Sequence, residues 1–271
     1  MIKIMTMNVG CVGAQRVKGS AKKRKDMIDK VVKIEKPHLV LFQEFEWKKL
    51  WLGDHWENYE LCENEKKDAN ILYDKHKIVV KPVSEKLLRS ILDEHFSTDF
   101  TPMPKLCIRV VKSIGYPTVK FIAVSWHGEY KTSENKRLET FQQLLRFLEL
   151  VSNKKKKLPL LIGGDFNINI DRIQECVIHP FKLHDYIPTA RRESNIIDFF
   201  ITKNITVENV QTVNLNNYAE EEEPYNLLDH DPKVCIYNPC KIFIYDIPVH
   251  IIGTFVDVEI EILVCRSFTF S

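Results

Sequence analysis

A carboxylate and an amide, Asp165 and Asn167, follow two consecutive glycines in the middle of the chain. The apolar run before them, residues 158–162, predicts a buried strand, and Gly163 and Gly164 permit a tight turn or the close approach of a ligand. If the strand continues, Asp165 and Asn167 face the same side, because residues two apart share one face. An Asx turn after the strand explains the segment equally well, so this segment alone does not predict a catalytic site.

Similar polar side chains end the other apolar runs of the sequence. They are Asn8, Glu44 and His127, and Asp229 and His230 adjoin the last apolar run, residues 233–237. Asp198 lies inside an apolar run, residues 196–201, where a carboxylate without a partner would be energetically costly. A single Glu or His at a strand end is usually solvated or structural, but the whole set predicts one polar site at the ends of several strands.

The elements that must position these residues are short apolar strands with few helices between them. Strands are predicted at residues 1–8, 38–43, 71–73, 78–81, 106–111, 119–126, 158–162, 195–202 and 233–237. Helices are predicted at residues 21–36, which end before Pro37, and at residues 134–151, where apolar side chains recur every three or four positions. This pattern predicts an α/β or α+β domain with more strand than helix.

The bulk composition predicts one large globular domain. The chain has 271 residues, of which 44% are hydrophobic and 28% charged, and its net charge of +2 gives no strong overall attraction to nucleic acid. Its seven cysteines are scattered without a CxxC pair, which argues against a zinc–thiolate site and favours a reducing, intracellular compartment, cytoplasm or nucleus. The first residues form a strand pattern rather than a secretory signal, and no long uncharged apolar stretch predicts a transmembrane helix.

Six segments together resemble the endonuclease/exonuclease/phosphatase superfamily, which has a deoxyribonuclease I-like fold. In chain order they are Met5-Thr6-Met7-Asn8, Leu41-Phe42-Gln43-Glu44, Ser125-Trp126-His127-Gly128, Gly164-Asp165-Phe166-Asn167, Ile197-Asp198-Phe199-Phe200 and Leu228-Asp229-His230-Asp231-Pro232. The resemblance covers about residues 1–237. It implies a four-layer αββα sandwich, in which two packed mixed β-sheets are flanked by helices.

We therefore expect a catalytic domain at residues 1–238 and a strand-rich C-terminal extension at residues 239–271. The extension contains no chemical motif and is interpreted as one or two added strands, with a poorly specified tail as the alternative. A weaker hypothesis is that its strands form an edge for dimerisation. The oligomeric state is otherwise not predicted.

The resemblance also implies a metal site. Glu44 matches the carboxylate that binds Mg²⁺, Asn8 lies beside it, and Asp229 matches a residue often placed near the metal. Mg²⁺ prefers oxygen ligands and keeps several waters, so one or two carboxylates suffice. Mn²⁺ is the expected substitute.

The remaining motif residues match catalytic roles. Asp165 matches the residue that orients or activates the attacking water, and Asn167 and His127 match positions that contact the phosphate. His230 matches the histidine of the last motif, and Asp198 matches the carboxylate that holds and polarises it. Such a pair fixes the imidazole tautomer and favours its charged form beside a phosphate.

The last motif departs from the superfamily pattern at two positions. Leu228 stands where a serine is usual, and Asp231 follows His230 where many members have a neutral residue. The additional negative charge of Asp231 is expected to raise the pKa of His230 or to weaken binding of an anionic substrate. Neither change removes a central catalytic group.

Substrate choice is expected to depend on the segments between the motifs. Residues 46–70 contain Trp47, Trp51, Trp56 and Tyr59 near lysines, which suits stacking on bases, although a core role for these aromatics is at least as well supported. Residues 81–105 are a second candidate segment. Residues 16–25 are basic and either steer a polyanion toward the site or form a solvated helix face, which is the better supported of the two.

Three functions follow in order of preference. The first is a nuclease-like phosphodiesterase that acts on nucleic acid, and the second is a phosphatase or phosphodiesterase that acts on inositol phosphates or phospholipids. The third is a catalytically silent protein-interaction module, against which the complete set of catalytic side chains argues.

Overall fold

The structure, a computed structural model, describes residues 1–10, 20–44, 54–62, 68–177, 179–184, 196–218 and 230–238. The predicted C-terminal extension, residues 239–271, lies outside these ranges. None of the helices in the described ranges is long and apolar enough to cross a membrane.

Within the described ranges the chain forms strands and helices that alternate along the sequence. The strands are β1 (Ile2–Asn8), β2 (Leu39–Gln43), β3 (Tyr59–Cys62), β4 (Ala69–Asp74), β5 (Ile78–Pro82), β6 (Leu106–Ser113), β7 (Lys120–His127), β8 (Leu160–Asp165), β9 (Phe181–His184), β10 (Asp198–Lys203), β11 (Val207–Thr212) and β12 (Lys233–Tyr237). The helices are α1 (Ser20–Glu35), α2 (Glu85–His95), α3 (Glu134–Lys154) and α4 (Ile170–Gln174). Short 3₁₀ helices cover Asp54–Asn58, Met103–Lys105 and Leu215–Tyr218.

The described strands form two mixed sheets of six strands each. Sheet A has the order β11-β12-β1-β2-β4-β3, and sheet B has the order β5-β6-β7-β8-β10-β9. Each sheet contains a single parallel pair of neighbours, β1 with β2 in sheet A and β7 with β8 in sheet B, and the other pairs are antiparallel. The carboxyl ends of two strands therefore lie side by side in each sheet.

The alternation of side chains along β1 and β2 explains the layers. Ile2, Ile4, Leu39 and Leu41 belong to the core cluster that also contains the inward residues of sheet B. The intervening residues Met5, Met7, Val40 and Phe42 belong to a second cluster, to which Met27, Ile28, Val31 and Val32 of α1 also belong. Successive residues of a strand point to opposite faces, so sheet A packs between α1 and sheet B.

Sheet B is covered on its other face by α3, whose buried side chains include Phe141, Leu144 and Leu148. α2 packs against α3 through Phe96, just after its end, whose ring meets the Phe147 ring edge-on with centroids 6.0 Å apart. The predicted four-layer αββα sandwich is thus confirmed.

Most predicted elements are present, with ends shifted by a few residues. β1, α1, β2, β4 to β8, α3, β10 and β12 correspond to predicted elements. The sequence analysis missed β3, α2, α4, β9 and β11. Residues 81–105, which remain a candidate specificity segment, contain α2, which buries Leu88 and Ile91.

Candidate active site

Four of the predicted polar residues lie at the carboxyl ends of the two parallel strand pairs. Asn8 ends β1, and Glu44 follows β2 directly, where Asn8 and Gln43 are register partners. His127 ends β7 and Asp165 ends β8, and these two residues are also register partners. Because the two sheets pack face to face, the four strand ends meet at one edge of the sandwich.

Asp165 lies at the centre of this edge and is buried. Its Oδ2 accepts a hydrogen bond of 2.8 Å from Nδ2 of Asn8, and its Oδ1 accepts one of 2.8 Å from the backbone N–H of Asn167. Burial and the nearby Asp198 carboxylate raise the pKa of Asp165 above its ordinary value. A raised pKa makes this carboxylate a better proton acceptor than an exposed aspartate, as a general base requires.

The sequence predicted that Asp198 needs a partner inside its apolar run, and the partner is His230. Nδ1 of His230 lies 2.6 Å from Oδ2 of Asp198, and both side chains are buried. Nε2 of the same ring lies 3.7 Å from Oδ2 of Asp165. The carboxylate holds the Nδ1–H tautomer, so Nε2 faces Asp165 and the reaction space.

Glu44 adopts a left-handed backbone conformation, with φ of 54°, at the point where the chain leaves β2. Its backbone N–H donates a 2.8 Å hydrogen bond to the carbonyl oxygen of Asp68. Its carboxylate lies 3.4 Å from Nδ2 of Asn8 and remains 38% exposed. A residue held in this sparsely populated conformation is a feature of functional sites, because the surroundings must compensate its cost.

Gly10 brings the backbone close to this carboxylate. A Cβ atom at Gly10 would lie 2.7 Å from the Glu44 carboxylate and 2.9 Å from Oδ1 of Asn8. The Gly10 N–H donates a 2.8 Å hydrogen bond to the same Asn8 oxygen. The glycine therefore leaves a cradle in which the Glu44 and Asn8 oxygens lie side by side.

His127 is buried beside Glu44, and its Nε2 lies 3.5 Å from Oε1 of that carboxylate. Burial first, and then the charge of Lys105, lower the pKa of His127 to about 4, so its ring is neutral at neutral pH. Nδ1 is buried and has no hydrogen-bond partner among the described residues, and it lies 3.8 Å from Oδ2 of Asp68. An unsatisfied buried nitrogen of this kind is a place where a ligand or water belongs.

Comparison with known proteins was made for both sequence and structure. No family model matches the sequence, and no curated protein matches it significantly. The structure matches an endonuclease/exonuclease/phosphatase from Bacteroides vulgatus with a TM-score of 0.63 at 16% identity, covering 88% of this chain and 98% of that one. The chain has the endonuclease/exonuclease/phosphatase fold.

Two further structures with this fold differ in what their names say they act on or bind. D. rerio TDP2 complexed with a single-strand DNA product matches with a TM-score of 0.60 at 13% identity, covering 88% of this chain and 98% of that one. A mannosyl-6-phosphatase from Bacteroides thetaiotaomicron matches with a TM-score of 0.62 at 14% identity, covering 88% of this chain and all of that one (100%). These structural matches establish the endonuclease/exonuclease/phosphatase fold, which the sequence motifs predicted. Because the sequence identities are low, the matches leave the substrate open.

Asn167 reaches the site differently from the strand geometry considered first. It lies beyond the end of β8 with a φ of 53°, and its N–H bonds to Asp165, which is the Asx turn considered as the alternative. Its Nδ2 donates a 3.0 Å hydrogen bond to the carbonyl oxygen of Gly128. The amide therefore joins the loop after β8 to the loop after β7.

Two aromatic residues of the candidate substrate segment 46–70 have structural contacts. Trp56 is buried in the core cluster beneath α1, and its indole N–H donates to Asp29. The Tyr59 hydroxyl donates a 2.8 Å hydrogen bond to the carbonyl oxygen of Pro37. Trp47 and Trp51 lie outside the described residues, as do residues 11–19, which include the start of the basic segment, and Asp229 and Leu228 of the last motif.

The sequence analysis missed two groups around the site. Asp68 precedes β4 and Lys105 ends a 3₁₀ helix, and their side chains lie 3.6 Å apart (Oδ2 to Nζ) beside His127. Gln43 and Ser125 form a buried hydrogen bond of 2.9 Å directly behind Glu44 and His127. An isolated charged loop residue carries no periodic signal, but polar residues inside the apolar runs of β2 and β7 do predict buried partners.

The donor set at this edge suits a hard cation. Glu44, Asp165 and Asp198 bring three carboxylates to one corner of the fold, and the oxygens of Glu44 and Asn8 share the cradle at Gly10. The buried group of Asp165, Asp198 and His230 also has ligand atoms within 4.8 Å of one another and could hold a metal ion. Excess negative charge in a partly buried site favours binding of a cation.

Proposed function

We propose that the protein is a Mg²⁺-dependent phosphoesterase that hydrolyses a phosphodiester by in-line attack of water, with nucleic acid as its substrate class. The observation that carries the proposal is the buried Asp198–His230 pair, which aims Nε2 of His230 at Asp165, whose other contacts come from Asn8 and Asn167. A silent interaction module has no need to keep this costly buried polar arrangement intact.

We assign Asp165 the role of orienting and deprotonating the attacking water. Its two oxygens are oriented by hydrogen bonds from Asn8 and Asn167, so the carboxylate cannot rotate freely. In the reaction Asp165 orients the water and accepts its proton as the oxygen attacks phosphorus. Held in this way, the nucleophile enters in line with the leaving oxygen without a large loss of entropy during the reaction.

We assign His230 the role of binding the phosphate. Asp198 stabilises the imidazolium form of its ring, and the Nε2–H then donates to a non-bridging phosphate oxygen, where negative charge accumulates. We assign His127 and Asn167 to the phosphate as further donors. The neutral His127 ring can donate one hydrogen bond without adding charge.

Glu44 and Asn8 are the residues we assign to Mg²⁺, with Mn²⁺ as a substitute, and Asp229 is the third proposed ligand. Nδ1 of His230 is already bonded to Asp198, so the cradle at Gly10 is the better cation site than the Asp165, Asp198 and His230 group. Mg²⁺ bound there supplies positive charge that neutralises the phosphate oxygens and the leaving oxygen. The 38% exposure of Glu44 suits an ion that keeps several of its waters.

Phosphodiesters of nucleic acid are preferred as substrates over inositol phosphates and phospholipids. The structurally similar TDP2 is described with a single-strand DNA product, which supports this order, whereas the mannosyl-6-phosphatase supports the alternative of a small phosphate ester. Both proteins share the fold at low identity, so the order must be tested directly.

The test is a substrate panel with the full chain in Mg²⁺. It contains single-stranded DNA, plasmid, RNA, inositol polyphosphates and sphingomyelin, each repeated with EDTA and with the variants Glu44→Gln and Asp165→Asn. We expect cleavage of a polynucleotide that EDTA abolishes and that both variants reduce by about 10²-fold or more. Asp171→Asn, an exposed carboxylate on α4, is the matched control.

Activity that survives EDTA and both substitutions would refute the mechanism. Hydrolysis of inositol phosphates or sphingomyelin without any polynucleotide cleavage would reverse the order of substrates. Absence of hydrolysis on the whole panel would favour the interaction module.

A further inference from the structure

Tyr130 is an exposed aromatic residue in the loop that follows the catalytic end of β7. We propose that its ring, together with Lys105 and Lys131, binds one base of a single-stranded polynucleotide substrate by stacking. This role of Tyr130 rests on the proposed function, because it assumes a nucleic-acid substrate whose base lies next to the scissile phosphate.

The loop that carries Tyr130 is fastened to the catalytic strand ends. The Gly128 N–H donates a 2.7 Å hydrogen bond to the carbonyl oxygen of Asp165, and the Gly128 carbonyl accepts from the side chain of Asn167. A Cβ at Gly128 would lie 2.2 Å from the carbonyl oxygen of Phe166, so the backbones are in direct contact there. Tyr130 follows two residues later, and its position is therefore set by the same residues that position Asp165.

A chain of short contacts also connects the ring to the inside of the site. Nζ of Lys105 lies 5.9 Å from the centroid of the Tyr130 ring and 3.6 Å from Oδ2 of Asp68. The same Asp68 oxygen lies 3.8 Å from Nδ1 of His127. These links lead from His127 to Tyr130 through two side chains, and we infer that a substrate whose phosphate reaches His127 presents its neighbouring nucleotide to Tyr130.

Tyr130 differs from an ordinary exposed aromatic residue in its surroundings. The side chain is 54% exposed, and Nζ of Lys131 lies 5.3 Å from the ring centroid. Single exposed aromatic residues are common on protein surfaces and need no function. An exposed ring with two ammonium groups over it, next to the proposed phosphate site, has the composition of a single-strand binding platform, in which a base takes the place of an ammonium group on the ring.

The charges around the ring favour stacking over phosphate binding as its main contribution. Lys105 lies 3.6 Å from Asp68 and 3.5 Å from Glu129, so its positive charge is largely balanced. Stacking of a base on the aromatic face is therefore the main contribution to affinity that we expect at this position. Every base has such a face, which gives binding without a strict sequence preference.

The β6–β7 turn supplies a matched control. Tyr116 is 42% exposed and precedes β7, whereas Tyr130 follows it. Tyr116 precedes the first residue of β7 and Tyr130 follows its last residue, so the two tyrosines lie at opposite ends of this strand. Truncation of either tyrosine removes a comparable exposed ring, but only Tyr130 is placed to contact the substrate.

The experiment measures binding of labelled ten-nucleotide strands by fluorescence anisotropy in Mg²⁺. The protein carries Asp165→Asn so that the strand is not cleaved, and two ligands of equal length and charge are compared, oligothymidylate and its abasic deoxyribose-phosphate equivalent. We expect Tyr130→Ala to weaken oligothymidylate binding about 5- to 150-fold, the range of one base–aromatic stack, and to leave the abasic strand unaffected. Tyr130→Trp restores the affinity, and Tyr116→Ala changes neither.

Three outcomes would overturn the inference: Tyr130→Ala has no effect on either strand, weakens both equally, or is not rescued by Trp. A hydrolysis assay of the parent chain separates this failure from failure of the proposed function. If the Tyr130→Ala variant cleaves oligothymidylate as fast as the parent chain does, only the proposed stacking on Tyr130 is refuted. If the parent cleaves no polynucleotide but cleaves a small phosphate ester, the nucleic-acid proposal itself fails.

Discussion

Asp198 and His230 form a buried hydrogen bond of 2.6 Å, Oδ2 to Nδ1, although the residues are 32 positions apart in the chain. The bond determines which ring nitrogen is left to face Asp165. Replacement of the carboxylate by an amide of the same shape keeps the volume but removes the charge and disturbs the tautomer.

We expect Asp198→Asn to lower kcat by about 10²- to 10⁴-fold, the contribution typical of a positioned acid–base side chain. The measurement is steady-state hydrolysis of the substrate found in the panel. Asp171→Asn, an exposed carboxylate, should change kcat less than twofold. An equal loss in both variants would show that the Asp198 charge has no special role.

Gln43 and Ser125 connect the two sheets behind the site. Nε2 of Gln43 donates to the Ser125 hydroxyl at 2.9 Å, and that hydroxyl donates to the carbonyl oxygen of Phe42 at 2.8 Å. Gln43→Met and Ser125→Ala should each lower the free energy of unfolding by about 1–3 kcal/mol, because buried groups lose their partners. Urea denaturation of both single variants and the double variant measures their coupling, and simple additivity would contradict a shared network.

Bound Mg²⁺ should stabilise the folded protein independently of any reaction. At a concentration 100 times the Kd the free energy of unfolding should rise by about 2.7 kcal/mol, seen as a higher Tm. Glu44→Gln should remove most of this shift, and Glu57→Gln, an exposed residue, should retain it. A shift that is unchanged in Glu44→Gln would place the cation elsewhere, for example among Asp165, Asp198 and His230.

His184 should make stability depend on pH. Nε2 bonds to the Thr202 hydroxyl at 2.8 Å, and that hydroxyl donates to the carbonyl oxygen of Ile205, so Nε2 carries the hydrogen. Burial, with a smaller effect of Lys182, lowers the pKa of His184 to about 4 from an ordinary value near 6.5. The unfolded chain therefore binds a proton on this residue between pH 6.5 and 4 while the folded chain does not.

The free energy of unfolding should consequently fall as pH decreases from about 6.5 to 4, with a contribution of about 1–3 kcal/mol from His184. His184→Gln keeps a donor for Thr202 and cannot titrate. Denaturation curves at several pH values should show that the free energy of unfolding declines less steeply for this variant than for the parent. Some decline remains in the variant, because His127 still titrates. Parallel declines would contradict the assignment.

Glycine substitutions test how closely the strands approach at the site. A Cβ at Gly164 would lie 2.0 Å from the carbonyl oxygen of Trp126, whereas one at Gly115 would meet nothing within 4 Å. Gly164→Ala should lower the Tm strongly or prevent folding, since backbone atoms must move apart. Gly115→Ala should leave the Tm within a few degrees of the parent, and an equal effect of both would refute the contact.

The sequence predicted interior strands far better than edge strands. β1, β2, β7, β8 and β10 are interior strands and read as continuous apolar runs. Three of the four edge strands, β3, β9 and β11, were missed. An edge strand is half exposed and alternates with polar residues, so Val207–Thr212, with Glu208 and Gln211, has too few apolar residues to be recognised.

Some residues of the candidate site could be predicted from the sequence, and others could not. Asp198 could be recognised as paired because a carboxylate in an apolar run is costly alone, and its partner His230 was found. Asp68 and Lys105 could not, because charged loop residues are the ordinary surface case. The loop contact between Gly128 and Asn167 depends on left-handed backbone geometry at Asn167, which no periodic pattern reports.

The pairing of β12 with β1 has a consequence for how the protein is made. Ile4 pairs with Cys235, so the first strand receives its outer neighbour only when nearly the whole domain has been synthesised. His230 arrives in the same late segment and completes a site that Asn8 began. A nascent chain on the ribosome therefore lacks the imidazole of the candidate site until this last segment has been synthesised.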